Sequence, residues 1–195
     1  MCLFFESIKV LQGKPENLGL HEDRMNRTRS EFLGFTDRLS LENVLKTEAM
    51  SLQKCRVIYQ EKIEKIEFIP YSPKIINHLR IVEEDDLQYG YKFLDRSCFD
   101  KMLLGIPPAT DLLIIKNGKI TDTTFANIAF WDGFSWLTPD EPLLAGTKRE
   151  LLLRKGLIHK AEIRITDLRL FRFAVLINAM LDLDNSPVID IRNIR

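Results

Sequence analysis

Two glycine-bearing dipeptides place the strongest constraint on this chain. Leu112-Leu113-Ile114-Ile115-Lys116 runs into Asn117-Gly118 and on into Lys119-Ile120-Thr121. Asn127-Ile128-Ala129-Phe130-Trp131 runs into Asp132-Gly133 and on into Phe134-Ser135-Trp136-Leu137-Thr138. The central residues of a tight hairpin turn need positive φ, which Asn-Gly and Asp-Gly tolerate. Each stretch therefore predicts a β-hairpin.

The remaining elements are read around those hairpins. Phe4 to Val10 reads as a strand, turned by Gln12-Gly13-Lys14-Pro15. Leu20 to Phe35 reads as a helix with Gly34 near its end, and its spacing puts His21, Arg24 and Thr28 on one face. Ser40 to Met50 reads as a second helix, begun by Ser40 with Glu42 in its first turn. Lys54 to Gln60 and Glu61 to Tyr71 are rich in Val, Ile, Tyr and Phe and read as strands. The solvated run Glu83-Glu84-Asp85-Asp86 suggests a junction, giving a small domain over 1–88 and a larger one over 89–195. Asp95 to Leu104 reads as a helix. Thr147-Lys148-Arg149-Glu150 has the capping-box pattern, and Gly156 is placed to end the helix that follows. Leu168 to Leu181 mixes helix and strand signals. The residues alone give an α+β fold.

Composition excludes several function classes. Lys+Arg and Asp+Glu number 28 each, so bulk charge does not hold this chain to nucleic acid or to an acidic membrane. No apolar run approaches a membrane span of about 18 residues. The N-terminus lacks the basic region of a secretory signal. Cys2, Cys55 and Cys98 are widely spaced, and with His21, His78 and His159 they suggest neither a disulfide framework nor a metal site. The expectation is a cytoplasmic protein with a small-molecule partner.

A set of ordered blocks narrows this further. They are Leu20-His21-Glu22-Asp23-Arg24-Met25, Tyr91-Lys92-Phe93-Leu94-Asp95-Arg96, the run from Asn117 to Phe130, Leu137-Thr138-Pro139, and Leu144-Ala145-Gly146-Thr147-Lys148-Arg149. In this order they resemble the class IV aminotransferases, fold-type IV enzymes that use pyridoxal 5'-phosphate. The resemblance implies a small N-terminal α/β domain, a larger β-rich, barrel-like domain that binds the cofactor, and a homodimer.

It also implies roles for particular residues. Lys92 resembles the lysine that forms a Schiff base with the cofactor aldehyde and later moves a proton at the substrate Cα. Asp122 stands where the family carries a glutamate beside the pyridine nitrogen, one methylene shorter. Arg24 resembles the phosphate arginine. The Gly146-Thr147-Lys148 turn enters a helix, where backbone N–H groups can meet a phosphate. Thr147 as a plain N-cap remains open beside that role. Where the family has a Thr or Ser touching the phosphate, this chain has Ala179, so Asn178 is the replacement donor or a polar residue at the core edge.

Two reactions remain in view. Aminodeoxychorismate lyase releases pyruvate from a chorismate-derived amine and leaves 4-aminobenzoate. A transaminase of the same family moves the amino group of a branched-chain L- or D-amino acid to a 2-oxo acid. Ser7, in Phe5-Glu6-Ser7-Ile8-Lys9, resembles the lyase position whose hydroxyl assists proton transfer. Arg56 is the candidate clamp for a substrate carboxylate. A strand hydroxyl and a solvent-facing strand arginine are the ordinary roles of those two residue types. A protein that binds the cofactor without turnover is a third possibility, motivated by Asp122 and Ala179. The compact length and the start of the chain favour the lyase.

Overall fold

A computed structural model of the protein describes residues 2–42 and 44–195. The chain divides into two compact units. One holds the residues up to Ser72 together with Tyr91–Arg96, and the other holds Pro73–Gly90 and Ser97–Arg195. The junction expected between 88 and 89 is thus replaced by three crossings, and Lys92 lies in the N-terminal unit rather than the larger one.

The reason is backbone pairing. In the first unit, β1 (Phe4–Leu11) pairs antiparallel with β3 (Gln53–Tyr59) along one edge. On its other edge β1 meets the short β2 (Lys14–Pro15) only at Val10 and Leu11. The vacant end of that edge is filled from far along the chain. Phe5 N–H donates to the Lys92 carbonyl at 3.0 Å, and Leu94 N–H to the Leu3 carbonyl at 2.8 Å. With β4 (Ile63–Pro70) the sheet order is β2-β1-β3-β4.

Helix α1 (Leu18–Leu33) is closed by Gly34 at φ 80, a left-handed conformation that glycine adopts without a Cβ penalty. Met25 joins Phe4, Ile8, Val10, Val57 and Tyr59 in the core of this unit. The expected helix over Ser40–Met50 is not formed among the described residues; Asn43 lies outside them. Side chains take over the backbone there. The Glu22 carboxylate accepts from the Leu41 N–H at 2.9 Å, and the Thr47 hydroxyl accepts from Ala49 N–H at 3.2 Å. Such local bonds compete with a helical ladder, and burial of Leu41 and Leu45 anchors the segment without one.

The second unit contains β5 (His78–Glu83), α2 (Ser97–Met102), β6 (Thr110–Lys116) and β7 (Lys119–Thr123), with β5 parallel to β6. Central in its three-stranded sheet, β6 buries Leu112 through Ile115 on both faces, which is why it reads as an unbroken apolar run. Asn117 at φ 50 and Gly118 at φ 74 make the predicted turn. The second predicted hairpin is β8 (Asn127–Trp131) with β9 (Trp136–Pro139), its loop held by Asp132, which accepts from the N–H groups of Phe134 and Ser135. Strands β10 (His159–Ala161), β11 (Phe173–Ile177) and β12 (Val188–Asp190) complete a five-stranded sheet in the order β10-β9-β8-β11-β12. The β-rich second region thus consists of two mixed sheets. The ambiguous stretch from Leu168 resolves into the end of a short 3-10 turn followed by β11.

Helix α3 (Thr147–Arg154) starts one residue earlier than a Thr147 cap requires. Gly146 is its N-cap, and no side chain caps it. Gly156, at φ 66, follows its last turn as expected. No helix among the described residues is long and apolar enough to cross a membrane.

Candidate active site

In the first unit, strand alternation separates two sets of residues. Phe5 and Ser7 lie on one face of β1, and Ser7 is directly opposite Arg56 on β3. The Lys92 amine sits over the Phe5 ring, 4.6 Å from its centroid, and the Arg56 guanidinium lies 5.0 Å from the same centroid. Lys92, Ser7 and Arg56 are therefore brought together around Phe5. All three are half-buried. The Arg56 Nε is itself buried and has no hydrogen-bond partner, so Arg56 is not the solvent-facing strand arginine.

Lys92 keeps a path to solvent, but protein surrounds its amine. Burial, reinforced by the charges of Arg24, Arg96 and Arg56 against the opposing charge of Glu6, lowers its pKa to about 7. Roughly half of such an amine is neutral at pH 7, against well under one part in a thousand for an ordinary lysine. A neutral amine is the form that attacks a carbonyl.

The other face of β1 carries Glu6 between Phe4 and Ile8, with 0% exposure. Its Oε1 accepts from Arg24 Nε at 2.9 Å, and its Oε2 from an Arg24 Nη at 2.5 Å and from His21 Nδ1 at 2.7 Å. Burial would raise this carboxyl, but Arg24 and His21 together outweigh it and hold the pKa at about 2. His21 is 1% exposed. Burial, only partly opposed by Glu6, lowers its pKa, so it is neutral at pH 7. Arg24 is likewise buried, and it is ion-paired with Glu6. Glu6 was missed by inspection of the sequence. The available signal was its alternation with Phe4 and Ile8, which assigns it to the buried face.

In the second unit, Asp122 is 4% exposed on β7. Its Oδ1 accepts from the Asn127 amide at 2.7 Å and its Oδ2 from the Leu144 N–H at 2.9 Å. Burial raises its pKa to about 6 against those donors and Arg149. Asn127 also donates to the Leu144 carbonyl at 2.9 Å, tying β8 to the loop that leads into α3. Gly146 is obligatory in this arrangement: a Cβ there would lie 1.9 Å from Asn127 Oδ1. Asn127 is thus a supporting residue inside a recognised block that had no assigned role.

Thr147 and Lys148 are both buried at the start of α3. The Lys148 amine is ion-paired with Asp182, so what the Gly146–Lys148 turn has to offer an anion is backbone rather than this charge. Asn178 Oδ1 accepts from the N–H groups of Met180 and Leu181 at 2.8 and 3.1 Å, and its Nδ2 is the group it can present. A cavity of about 290 Å³ lined by Leu87, Tyr89, Lys116, Lys119, Thr121 and Leu143 includes none of the predicted site residues. Lys116 and Lys119 are already partnered there, by the Leu87 carbonyl and by Glu162. No cluster able to hold a metal ion occurs among the described residues.

These groups suit pyridoxal phosphate. In the first unit a lysine amine is poised near neutrality; in the second a buried carboxylate of raised pKa favours a cationic partner, and a glycine keeps a loop and a helix start closely packed.

Comparison with known proteins points the same way. The family model for amino-transferase class IV matches residues 109–191. An uncharacterized protein of Haemophilus influenzae is 34% identical over 185 residues, spanning 92% of this chain and 98% of its own length. A provisionally assigned 4-amino-4-deoxychorismate lyase from Haemophilus somnus has a TM-score of 0.85 at 30% identity, covering 94% of this chain and 98% of its own. A provisionally assigned amino-acid aminotransferase from Mesorhizobium loti shares the fold, with a TM-score of 0.79 at 19% identity over 100% and 99% of the two chains. So does the pyridoxal-phosphate-bound form of a hypothetical aminotransferase from Mycobacterium tuberculosis, at 0.74 and 14% over 96% and 80%.

Proposed function

The chain belongs to the class IV aminotransferase family, and from that premise we propose that it is a pyridoxal-phosphate-dependent lyase acting on 4-amino-4-deoxychorismate. The observation that carries this reading is the Lys92 amine over Phe5, with its pKa near 7, beside Ser7 and the unpartnered Nε of Arg56. The likeness to the Haemophilus somnus protein supports the choice of substrate.

Bound to this chain, pyridoxal phosphate would supply an aldehyde for the amine and a pyridine ring that draws electrons from the substrate Cα. The rest falls to the protein. Lys92 would hold the cofactor through its amine, and the same amine would accept the Cα proton of the substrate. Arg56 takes a substrate carboxylate through its guanidinium fork. Ser7, opposite Arg56, delivers a proton to the departing pyruvate. Asp122 would keep the proton on the ring nitrogen. Arg24 and the backbone of the Gly146–Lys148 turn, with Asn178, receive the phosphate.

Purified protein incubated with 4-amino-4-deoxychorismate should release 4-aminobenzoate and pyruvate in equal amounts. It should be inactive on a panel of L- and D-amino acids with 2-oxoglutarate. Ser7→Ala should slow release by about 10²–10⁴-fold, the usual worth of acid–base assistance, while leaving the yellow lysine–cofactor absorbance in place. If the wild type only transaminates, or if Ser7→Ala is silent, the lyase reading fails and the transaminase takes its place. Cofactor absorbance with neither reaction would mark a binding protein without turnover. The same reading takes the working form to be a homodimer, which sedimentation would check.

A further inference from the structure

The apolar row that β1 presents to its core through Phe4, Ile8 and Val10 is interrupted by Glu6. A buried ion in such a row is an expensive choice, since apolar replacements of buried ion pairs are often at least as stable. Strand propensity does not call for it either. What Glu6 does is hold two side chains of α1. Both of its oxygens bind one edge of the Arg24 guanidinium, through Nε and one Nη. That two-point grip fixes the plane of the group. The third bond goes to His21 Nδ1. A carboxylate only accepts, so a neutral His21 carries its hydrogen on Nδ1.

We propose that Glu6 is a positioning residue for the cofactor phosphate, holding the Arg24 guanidinium in the plane in which it receives the anion and locking His21 in its Nδ1–H tautomer. The proposal rests on the pyridoxal-phosphate reading, and Glu6 acts through Arg24 rather than on a reacting atom. The charged and titratable groups around it are His21 and Arg24 from α1, Tyr59 from β3 and Lys92 from the segment paired to β1. Removing Glu6 leaves this cluster more positive. A purely electrostatic role therefore predicts tighter phosphate binding on its removal, whereas a positioning role predicts weaker binding. The two differ in sign.

The experiment measures equilibrium binding of pyridoxal phosphate and of pyridoxal to cofactor-free protein. Glu6→Gln should weaken pyridoxal phosphate by about tenfold or more, the worth of a charge-assisted bond made badly, and change pyridoxal by less than about threefold. In an Arg24→Ala background it should add nothing. Unchanged or tighter phosphate binding, an equal loss for both ligands, or a full effect without Arg24 would each overturn the proposal. Wild-type protein that binds neither ligand removes the cofactor reading and this proposal with it. Wild-type protein that prefers the phosphorylated ligand, with Glu6→Gln keeping that preference, removes only the role of Glu6. Should Glu6→Gln fail to fold, nitrogen NMR of the wild type decides. The Arg24 Nε–H signal should be protected and should shift on addition of inorganic phosphate, with His21 neutral and protonated on Nδ1 at pH 7 and above. A freely exchanging Arg24, a signal indifferent to phosphate, or the other tautomer would sink the idea.

Discussion

Glu6 in the first unit and Asp122 in the second are buried to nearly the same degree, yet their pKa values move in opposite directions. The Glu6 carboxyl is held down at about 2, because the charge of Arg24 and the hydrogen bonds from His21 and Arg24 overcome the cost of burial. The Asp122 carboxyl rises to about 6, because it is met by amide donors and a more distant Arg149, which do not. The lesson is that depth alone does not set a carboxylate's state; the net charge of the donors facing it does. One unit therefore carries a permanently ionised anchor. The other carries a carboxylate whose burial cost is not fully met by its own donors, so a cation brought to it is stabilised and lowers its pKa, which is the behaviour wanted of a group that holds a pyridinium.

The largest expected effect removes the group whose pKa the first cluster sets. Lys92→Ala should abolish the yellow cofactor absorbance and essentially all turnover. Borohydride reduction of the wild type followed by peptide mapping should find the pyridoxyl group on Lys92. An adduct on Lys101 or Lys148 would detach the chemistry from the first unit.

Next comes the contrast itself. Asp122→Asn should keep the fold and some cofactor, yet slow the reaction by roughly 10²-fold or more, because an amide holds no proton on the ring nitrogen by charge. An unchanged rate would show that the raised carboxyl of the second unit is not engaged.

The two carboxylates should also leave opposite marks on stability. Glu6 titrates at 4.5 when unfolded and about 2 when folded. Its contribution of about 3 kcal/mol is present above pH 4.5 and lost as pH falls toward 2. Asp122 titrates at 3.8 when unfolded and about 6 when folded. The second unit is therefore more stable by about 3 kcal/mol well below pH 3.8 than it would be well above pH 6, as far as this group is concerned. Both tryptophans, Trp131 and Trp136, lie in the second unit. Their fluorescence should report the Asp122 slope, and Asp122→Asn should flatten it. Amide exchange on β1 should report the Glu6 slope, and Glu6→Gln should flatten that. Two slopes of the same sign would break the comparison.

The smallest effect tests the scaffold behind Asp122. Gly146→Ala drives a Cβ into Asn127 Oδ1, so Asn127 must move and loosen its hold on Asp122. A loss of about 1–3 kcal/mol in stability, typical of overpacking, with weaker cofactor binding, is expected by thermal denaturation and dialysis.

Much of this architecture was written locally. Asn117-Gly118 and Asp132-Gly133 fix two hairpins because few residues tolerate positive φ. The apolar run of β6 and the glycines after α1 and α3 are legible for the same kind of reason: the deciding interactions lie within a few residues. Ser40–Met50 misled because its helix signals lost to bonds from Glu22 and to the burial of Leu41 and Leu45, none of which a local window contains. Thr147 misled by one position, since a capping box is a pattern of residue types and Gly146 took the cap.

The site divides along the same line. The residue types of Lys92, Asp122, Arg24 and Gly146 and their order along the chain were readable, and they sufficed to recognise the family. What only the folded chain decides is their state. Lys92 joins the N-terminal unit because its carbonyl meets the Phe5 N–H on the vacant edge of β1. Its pKa falls because folding buries the amine and brings Arg24, Arg96 and Arg56 around it. Glu6 becomes an anchor only when α1 lays His21 and Arg24 over it. Electrostatic energy depends on distances through space and on the water excluded between charges, and neither quantity is contained in the order of residues along the chain.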